Sequence, residues 1–231
     1  MDSKRFLKSS EKQNNHTIKT PHLAVFIARR NSGKSYVMRY LLNILAKAHR
    51  FNCVYVVSPT KHNGEWTSIV GDDYVFDNFD EDFIQGMLDA QALHKREMTE
   101  DKRIKANPIL LILDDCLGST SFHQQLFTKL ATTGRHYDLT IWASFQQYTK
   151  CPPVIRSNCD YLHFLNASNS KTMRVIHEEQ SPTDYDDWQD FQKYLREATL
   201  NYGVVLLDNT KAGKLVKFTA PTNQPKYKID Q

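Results

Sequence analysis

No long uncharged apolar run occurs in these 231 residues, and the mean hydropathy is -0.56, so the sequence offers no candidate for a membrane-spanning helix. The N-terminus, MDSKRFLKSS, is too polar to serve as a secretory signal. A soluble intracellular protein is expected. Cysteine is scarce: Cys53, Cys116, Cys151 and Cys159 form no C-x-x-C pair, which points to reduced, mostly buried thiols rather than disulfides or zinc ligands. A large excess of one charge is also missing, with 30 Lys and Arg against 26 Asp and Glu. The net charge of +4 permits nucleic-acid binding without demonstrating it. Basic residues collect locally in KRFLK near the N-terminus, at Arg29 and Arg30, in HKR at 94–96 and in KRIK at 102–105. A solvated surface is the simpler account of each cluster. Internal repeats and low-complexity tracts are absent.

The length suits one domain with a large single core. Residues 1–20 are polar and basic without a sustained period and are expected to form a flexible arm, with one folded domain over 21–231. From Pro21 onward, apolar runs alternate with helical patterns. The runs are Leu23 to Ile27, Phe51 to Ser58, PILLILDDC, DLTIWASF and YLHFL; the helices are expected at Ser35 to Lys47, Asp80 to about Glu97 and Phe122 to Thr132. That alternation predicts an α/β domain with a largely parallel sheet covered on both faces. Over about 180–220, a polar helix (Asp184 to Ala198) is followed by GVVLLDNTKAGKLVKF, which predicts a hairpin at the edge of the sheet.

The first apolar run and the first helix are joined by ARRNSGKS, close to the phosphate-loop pattern G-x-x-x-x-G-K-[ST], but Ala28 stands where the first glycine belongs. Such a loop needs a strand to deliver the chain, inward-facing backbone N–H groups and a helix N-terminus carrying partial positive charge. Gly33 would let the backbone approach phosphates, Lys34 would reach the outer ones, and the Ser35 hydroxyl would bind magnesium. Arg30, Asn31, Ser32, Gly33, Lys34, Ser35 and Tyr36 form the expected nucleotide-binding set. Alanine at position 28 costs about 1–2 kcal/mol only if its φ is positive. The competing reading is a helix start with an ordinary exposed lysine.

About eighty residues after Lys34, the run LLILDD ends in two carboxylates, and in a parallel sheet its end falls on the same edge as the loop. Asp114 would hold the metal, and Asp115 would orient or deprotonate an attacking water. Alone, the pair reads as a turn or helix cap; in order after GKS it points to ATP or GTP hydrolysis. Gln146, at the end of TIWASF, could sense a γ-phosphate or position that water, although an isolated glutamine there would normally face solvent.

The series NSGKS, ILLILDD, ATTGRH, TIWASFQQY and PPVIRSNCDYLHF resembles the FtsK-HerA superfamily of RecA-like P-loop ATPases over roughly residues 22–165, and more closely the viral genome-packaging ATPases of the poxvirus type. The resemblance implies a RecA-like fold and a homo-oligomeric ring, hexameric or pentameric, that hydrolyses ATP with magnesium and drives double-stranded DNA into a capsid. It further implies a capsid or portal partner and a location in the host cytoplasm or viral factory, or with the virion. An arginine from one subunit would reach the phosphate in the next; Arg135 of TTGRH matches best, and Arg156 of VIRSN is second. DNA contact falls on basic loops, for which HKREMTEDKRIK (94–105) and the N-terminal arm are candidates. Two other classes stay open: a P-loop small-molecule or nucleotide kinase, for which no arginine-rich lid is evident, and a non-catalytic nucleotide-binding scaffold.

Overall fold

The computed structural model describes residues 18–48, 50–116, 124–167 and 169–222. Most of the expected arm, residues 1–17, lies outside them, as do the first two residues expected in the helix from Phe122. Packing begins slightly ahead of Pro21. Ile18 is only 6% exposed, and the Lys19 N–H donates to the Tyr161 hydroxyl at 3.0 Å.

The apolar runs form strands β1 (Leu23–Ile27), β2 (Cys53–Val57), β4 (Ile109–Leu113), β5 (Leu139–Phe145) and β6 (Tyr161–Leu165), with a short β3 (Val75–Phe76) between β2 and β4 in the chain. The expected edge hairpin is β7 (Gly203–Asp208) and β8 (Lys214–Thr219). Together they make one eight-stranded sheet in the order β3-β2-β4-β5-β1-β6-β7-β8. The first six strands of that order run parallel, while β7 pairs antiparallel with both β6 and β8. The expected α/β architecture with a mainly parallel sheet is present.

Alternation along each strand divides the core in two. In β1, Leu23, Val25 and Ile27 pack on one face with side chains of α3 (Glu81–Glu100), α4 (Gln124–Thr133), α5 (Pro153–Asn158), α6 (Ser170–Gln180) and α7 (Trp188–Ala198). Ala24 and Phe26 face the other way, against α1 (Lys34–Lys47), Trp66 and the end of α2 (Thr67–Val70). Burial on both faces is why the strands read as unbroken apolar runs. Four elements escape that pattern, among them the short helices α2 and α5. β3 is too short to register, and α6 (SKTMRVIHEEQ) buries only Met173 and Ile176. Its start is fixed by Asn169, whose side chain accepts the Thr172 N–H at 3.1 Å.

Beneath the start of β1, His22 is buried between two fixed partners: Nδ1 lies 2.7 Å from the Lys19 carbonyl, and the Trp142 indole N–H donates to Nε2 at 2.8 Å. Those partners require a neutral ring, protonated at Nδ1. Burial lowers its pKa to about 4. The unfolded chain, with a histidine pKa of about 6.5, therefore takes up a proton in a range where the native state does not. Stability from His22 should be complete above pH 6.5 and lost as pH falls toward 4, by up to about 3 kcal/mol. Urea unfolding at pH 7 and pH 4.5 measures this, and the acid-induced loss should shrink in His22→Gln; an equal loss in both proteins would assign the sensitivity elsewhere.

Candidate functional site

The chain leaves β1 at Ile27 and enters α1 at Lys34. At the exit, the Ala28 N–H donates to Phe145 O at 3.2 Å, and Ala28 is not among the residues of positive φ, so the missing glycine introduces no strain. The left-handed positions come later, at Asn31 (φ 58°) and Gly33 (φ 84°). Asparagine and glycine are the residues that adopt this conformation most readily. Gly33 is the N-cap of α1 and supplies no side-chain cap, so the first-turn N–H groups keep their donors for something other than a side chain.

Lys34 is 5% exposed, yet its ammonium is satisfied: Nζ donates to Ala28 O at 3.2 Å and pairs with Asp115 Oδ2 at 3.1 Å. The adjacent hydroxyl, Ser35 Oγ, donates to Asp114 Oδ2 at 2.8 Å. Asp114 is 3% exposed and receives two more donors, Trp66 Nε1 at 2.9 Å and, on its other oxygen, Ser144 Oγ at 2.8 Å. Three hydrogen bonds compensate a buried carboxylate that would otherwise be costly to desolvate. Ser144 also accepts the Asp115 N–H at 2.9 Å. Its oxygen lies 3.4 Å from Asp115 Oδ1, but the single hydroxyl proton goes to the closer Asp114. Asp115 itself sits at φ 52°, a left-handed conformation that this bond helps to hold.

These groups line a cavity of about 840 Å³, which brings together the whole expected nucleotide-binding set of Arg30, Asn31, Ser32, Gly33, Lys34, Ser35 and Tyr36, with Asp114, Asp115 and Gln146. Gln146 is exposed at the end of β5 and also borders a neighbouring cavity of about 450 Å³. Arg135 and Arg156 do not line the larger cavity. Arg135 pairs with Asp160 Oδ1 at 2.6 Å, and the other Asp160 oxygen accepts the Leu23 N–H at 2.8 Å. That places Arg135 where β1 and β6 begin, at the sheet edge opposite the loop. Arg156, on α5, pairs with Glu179 of α6 at 2.8 Å and lies over the Tyr148 ring.

The chemistry of the donor set suits magnesium. Ser35 Oγ and Asp114 Oδ2, both hard oxygens, lie 2.8 Å apart. Adjacent corners of an octahedron with ligand distances of about 2.0–2.1 Å are separated by about 2.9 Å. Sequence reasoning overlooked Ser144, Trp66, Arg29 and Tyr202. A serine inside a buried strand and a tryptophan in an irregular segment announce nothing locally; both matter through a carboxylate 30 and 48 residues away.

Trp66 is 1% exposed, and its N–H serves a carboxylate. Trp66→Phe should therefore lower unfolding stability by about 1.5–3 kcal/mol from the lost hydrogen bond, beyond its smaller ring. In an Asp114→Asn background that loss should shrink by about 1 kcal/mol or more. Equal losses in both backgrounds, measured by urea denaturation, would reduce Trp66 to packing alone.

Known proteins resemble this chain in sequence and fold. The model of the family described as Poxvirus A32 protein matches residues 9–210. Protein 075L of Invertebrate iridescent virus 6, described as uncharacterized, is 28% identical over 193 residues, covering 80% of this chain and 70% of that protein. Among solved structures, the genome packaging NTPase B204 of Sulfolobus turreted icosahedral virus 2 with ATP-gammaS aligns with a TM-score of 0.60 at 16% identity, over 88% of this chain and 100% of that one. The pCW3 conjugation coupling protein TcpA with ATPgS aligns at 0.64 and 14% identity, over 91% of this chain and 61% of that one. At such identities the likeness is one of fold, an α/β domain with a mainly parallel central sheet flanked by helices. The family match covers most of the chain, and the protein belongs to the Poxvirus A32 protein family.

Proposed function

We propose that this protein is the ATP-hydrolysing motor of viral genome packaging, acting in the infected cell. One observation carries the reading: the loop lysine and serine meet the two carboxylates of β4 directly, Lys34 on Asp115 and Ser35 on Asp114. Membership of the A32 family and a fold shared with a packaging NTPase support it.

The Lys34–Asp115 pair suggests how binding prepares the site. A triphosphate entering the loop offers Lys34 a stronger counter-charge than a half-exposed aspartate, so the ammonium turns to the phosphates and Asp115 is released. Asp115 then orients a water whose oxygen attacks the γ-phosphorus as the bond to the bridging oxygen breaks, giving ADP and phosphate. Gln146, one strand away, positions that water or reports the γ-phosphate. Magnesium, held by Ser35 and Asp114, would neutralise charge on the phosphate oxygens.

Arg135 is too far round the sheet to serve its own cavity, so its role as a finger requires a neighbouring subunit, with Arg156 the second candidate. In this reading the subunits form a homo-oligomeric ring, hexameric or pentameric, around double-stranded DNA, docked on a capsid or portal protein. In the 94–105 segment, Lys95 is paired with Asp138 at 2.7 Å and Arg103 with Asp101 at 2.7 Å. Arg96, Lys102 and Lys105 are left exposed for phosphate contact.

Magnesium-dependent phosphate release, stimulated by DNA, is the expected activity, and Lys34→Ala should abolish it. Unchanged hydrolysis in that variant overturns the proposal, and transfer of labelled phosphate to an acceptor other than water would favour a kinase. Arg135→Ala should slow hydrolysis by about 10³-fold or more. Mixing Arg135→Ala with Asp115→Asn subunits should restore part of the activity; no restoration at any ratio overturns the finger in trans.

A further inference from the structure

The cavity is larger than a phosphate loop needs, and its walls differ in chemistry. Strand order explains the difference. Asp114 and Asp115 follow β4, which lies on one side of β1; Tyr202 precedes β7, and Ala220 and Thr222 follow β8, on the other side. Gly203 pairs with Thr219, and Val204 with Leu165 at the end of β6, so the start of β7 and the end of β8 reach the same sheet edge as the loop. A triphosphate lying between Lys34 and the carboxylates has room to extend its nucleoside end toward this second wall.

Tyr202 stands there unusually exposed, at 75%, and lines the cavity. Its backbone is left-handed (φ 61°), as is that of Asn201 (φ 52°). For a bulky residue this is an outlier. The surroundings enforce it. A Cβ on Gly203 would lie 2.0 Å from Ala198 O, so the turn must press against the end of α7. Thr199 Oγ1 ties the same turn down, accepting the Ala167 N–H at 3.0 Å and donating to Leu195 O at 2.8 Å. The ring is thereby brought to the phosphate loop: a Cβ on Gly33 would sit 3.8 Å from Tyr202 Cδ1, ordinary contact distance. Opposite, the Tyr36 hydroxyl is within hydrogen-bonding reach of the Pro221 carbonyl and, at 2.9 Å, of the Thr222 carbonyl, which fastens the segment after β8 to α1.

We propose that Tyr202 is the base platform of the site, its ring face stacking on the base of the bound nucleoside triphosphate. The assignment rests on the nucleotide reading of the cavity and adds a specificity statement to it. Stacking tolerates any base, because every base has a π-face. Tyr202 therefore selects a nucleoside triphosphate over a bare polyphosphate without distinguishing adenine from guanine.

The test is equilibrium titration, with magnesium, of the full chain and of Tyr202→Ala and Tyr202→Phe, using ATP, GTP and inorganic tripolyphosphate. Tyr202→Ala should weaken ATP and GTP by a common factor of roughly 5- to 150-fold, the usual range for losing one base stack, with tripolyphosphate unchanged within twofold. Tyr202→Phe should bind all three as the unsubstituted chain does. Unchanged ATP affinity in Tyr202→Ala, or an equal loss for tripolyphosphate, overturns the platform. An unsubstituted chain that binds tripolyphosphate as tightly as ATP also overturns it but leaves the phosphate site standing. Binding of none of the three by that chain overturns the nucleotide reading itself, and the platform with it.

Discussion

The buried carboxylate of Asp114 organises the site around it. Its two oxygens collect a hydroxyl from the helix after the loop, an indole from the segment after β2 and a hydroxyl from inside β5. Each donor comes from a different element, so satisfying this one charge fixes the relative positions of α1, the α2 turn and β5. The requirement is strict because an uncompensated carboxylate at this depth would cost several kcal/mol. Asp115 inherits its placement from the same network, through the bond from its N–H to Ser144.

Strand order makes such convergence possible. Because β5 lies between β4 and β1, Ser144 can reach both carboxylates and Gln146 emerges between the loop and the acids. Inserting that strand also separates β1 from β4, so the loop lysine and serine must cross the end of β5 to meet the aspartates. On the far side, the antiparallel pair β7 and β8 closes the sheet with a different chemistry, aromatic rings and backbone carbonyls in place of carboxylates. The acids after β4, the loop after β1 and the residues flanking β7 and β8 thus follow one another along one sheet edge.

The arginines follow another logic. Arg135 and Arg156 are held by Asp160 and Glu179 outside the cavity of their own chain. In each pair one partner is shielded and the other open to solvent: the Asp160 side chain is 12% exposed and that of Arg156 14%.

Much of this was legible in the sequence. Runs such as LAVFI and ILLIL are buried on both faces, so hydropathy alone located them, and NSGKS and DD are local motifs whose order implies a shared edge. What could not be read has a common cause. Ser144 and Trp66 look like any serine in a strand and any tryptophan in a loop; α6 buries only two side chains among mostly polar residues; Tyr202 is exposed and so leaves no hydrophobic signature. The cost of Ala28 depended on a backbone angle, and no composition or spacing encodes it. The sequence by itself determined the class of fold, the phosphate loop and the acids that follow it, because short-range pattern and chain order suffice for those. The tertiary structure alone decided which distant side chains satisfy Asp114, that Tyr202 lines the same cavity as the loop and which arginines are denied to their own cavity, because burial and hydrogen bonding act between residues that only the folded sheet brings together.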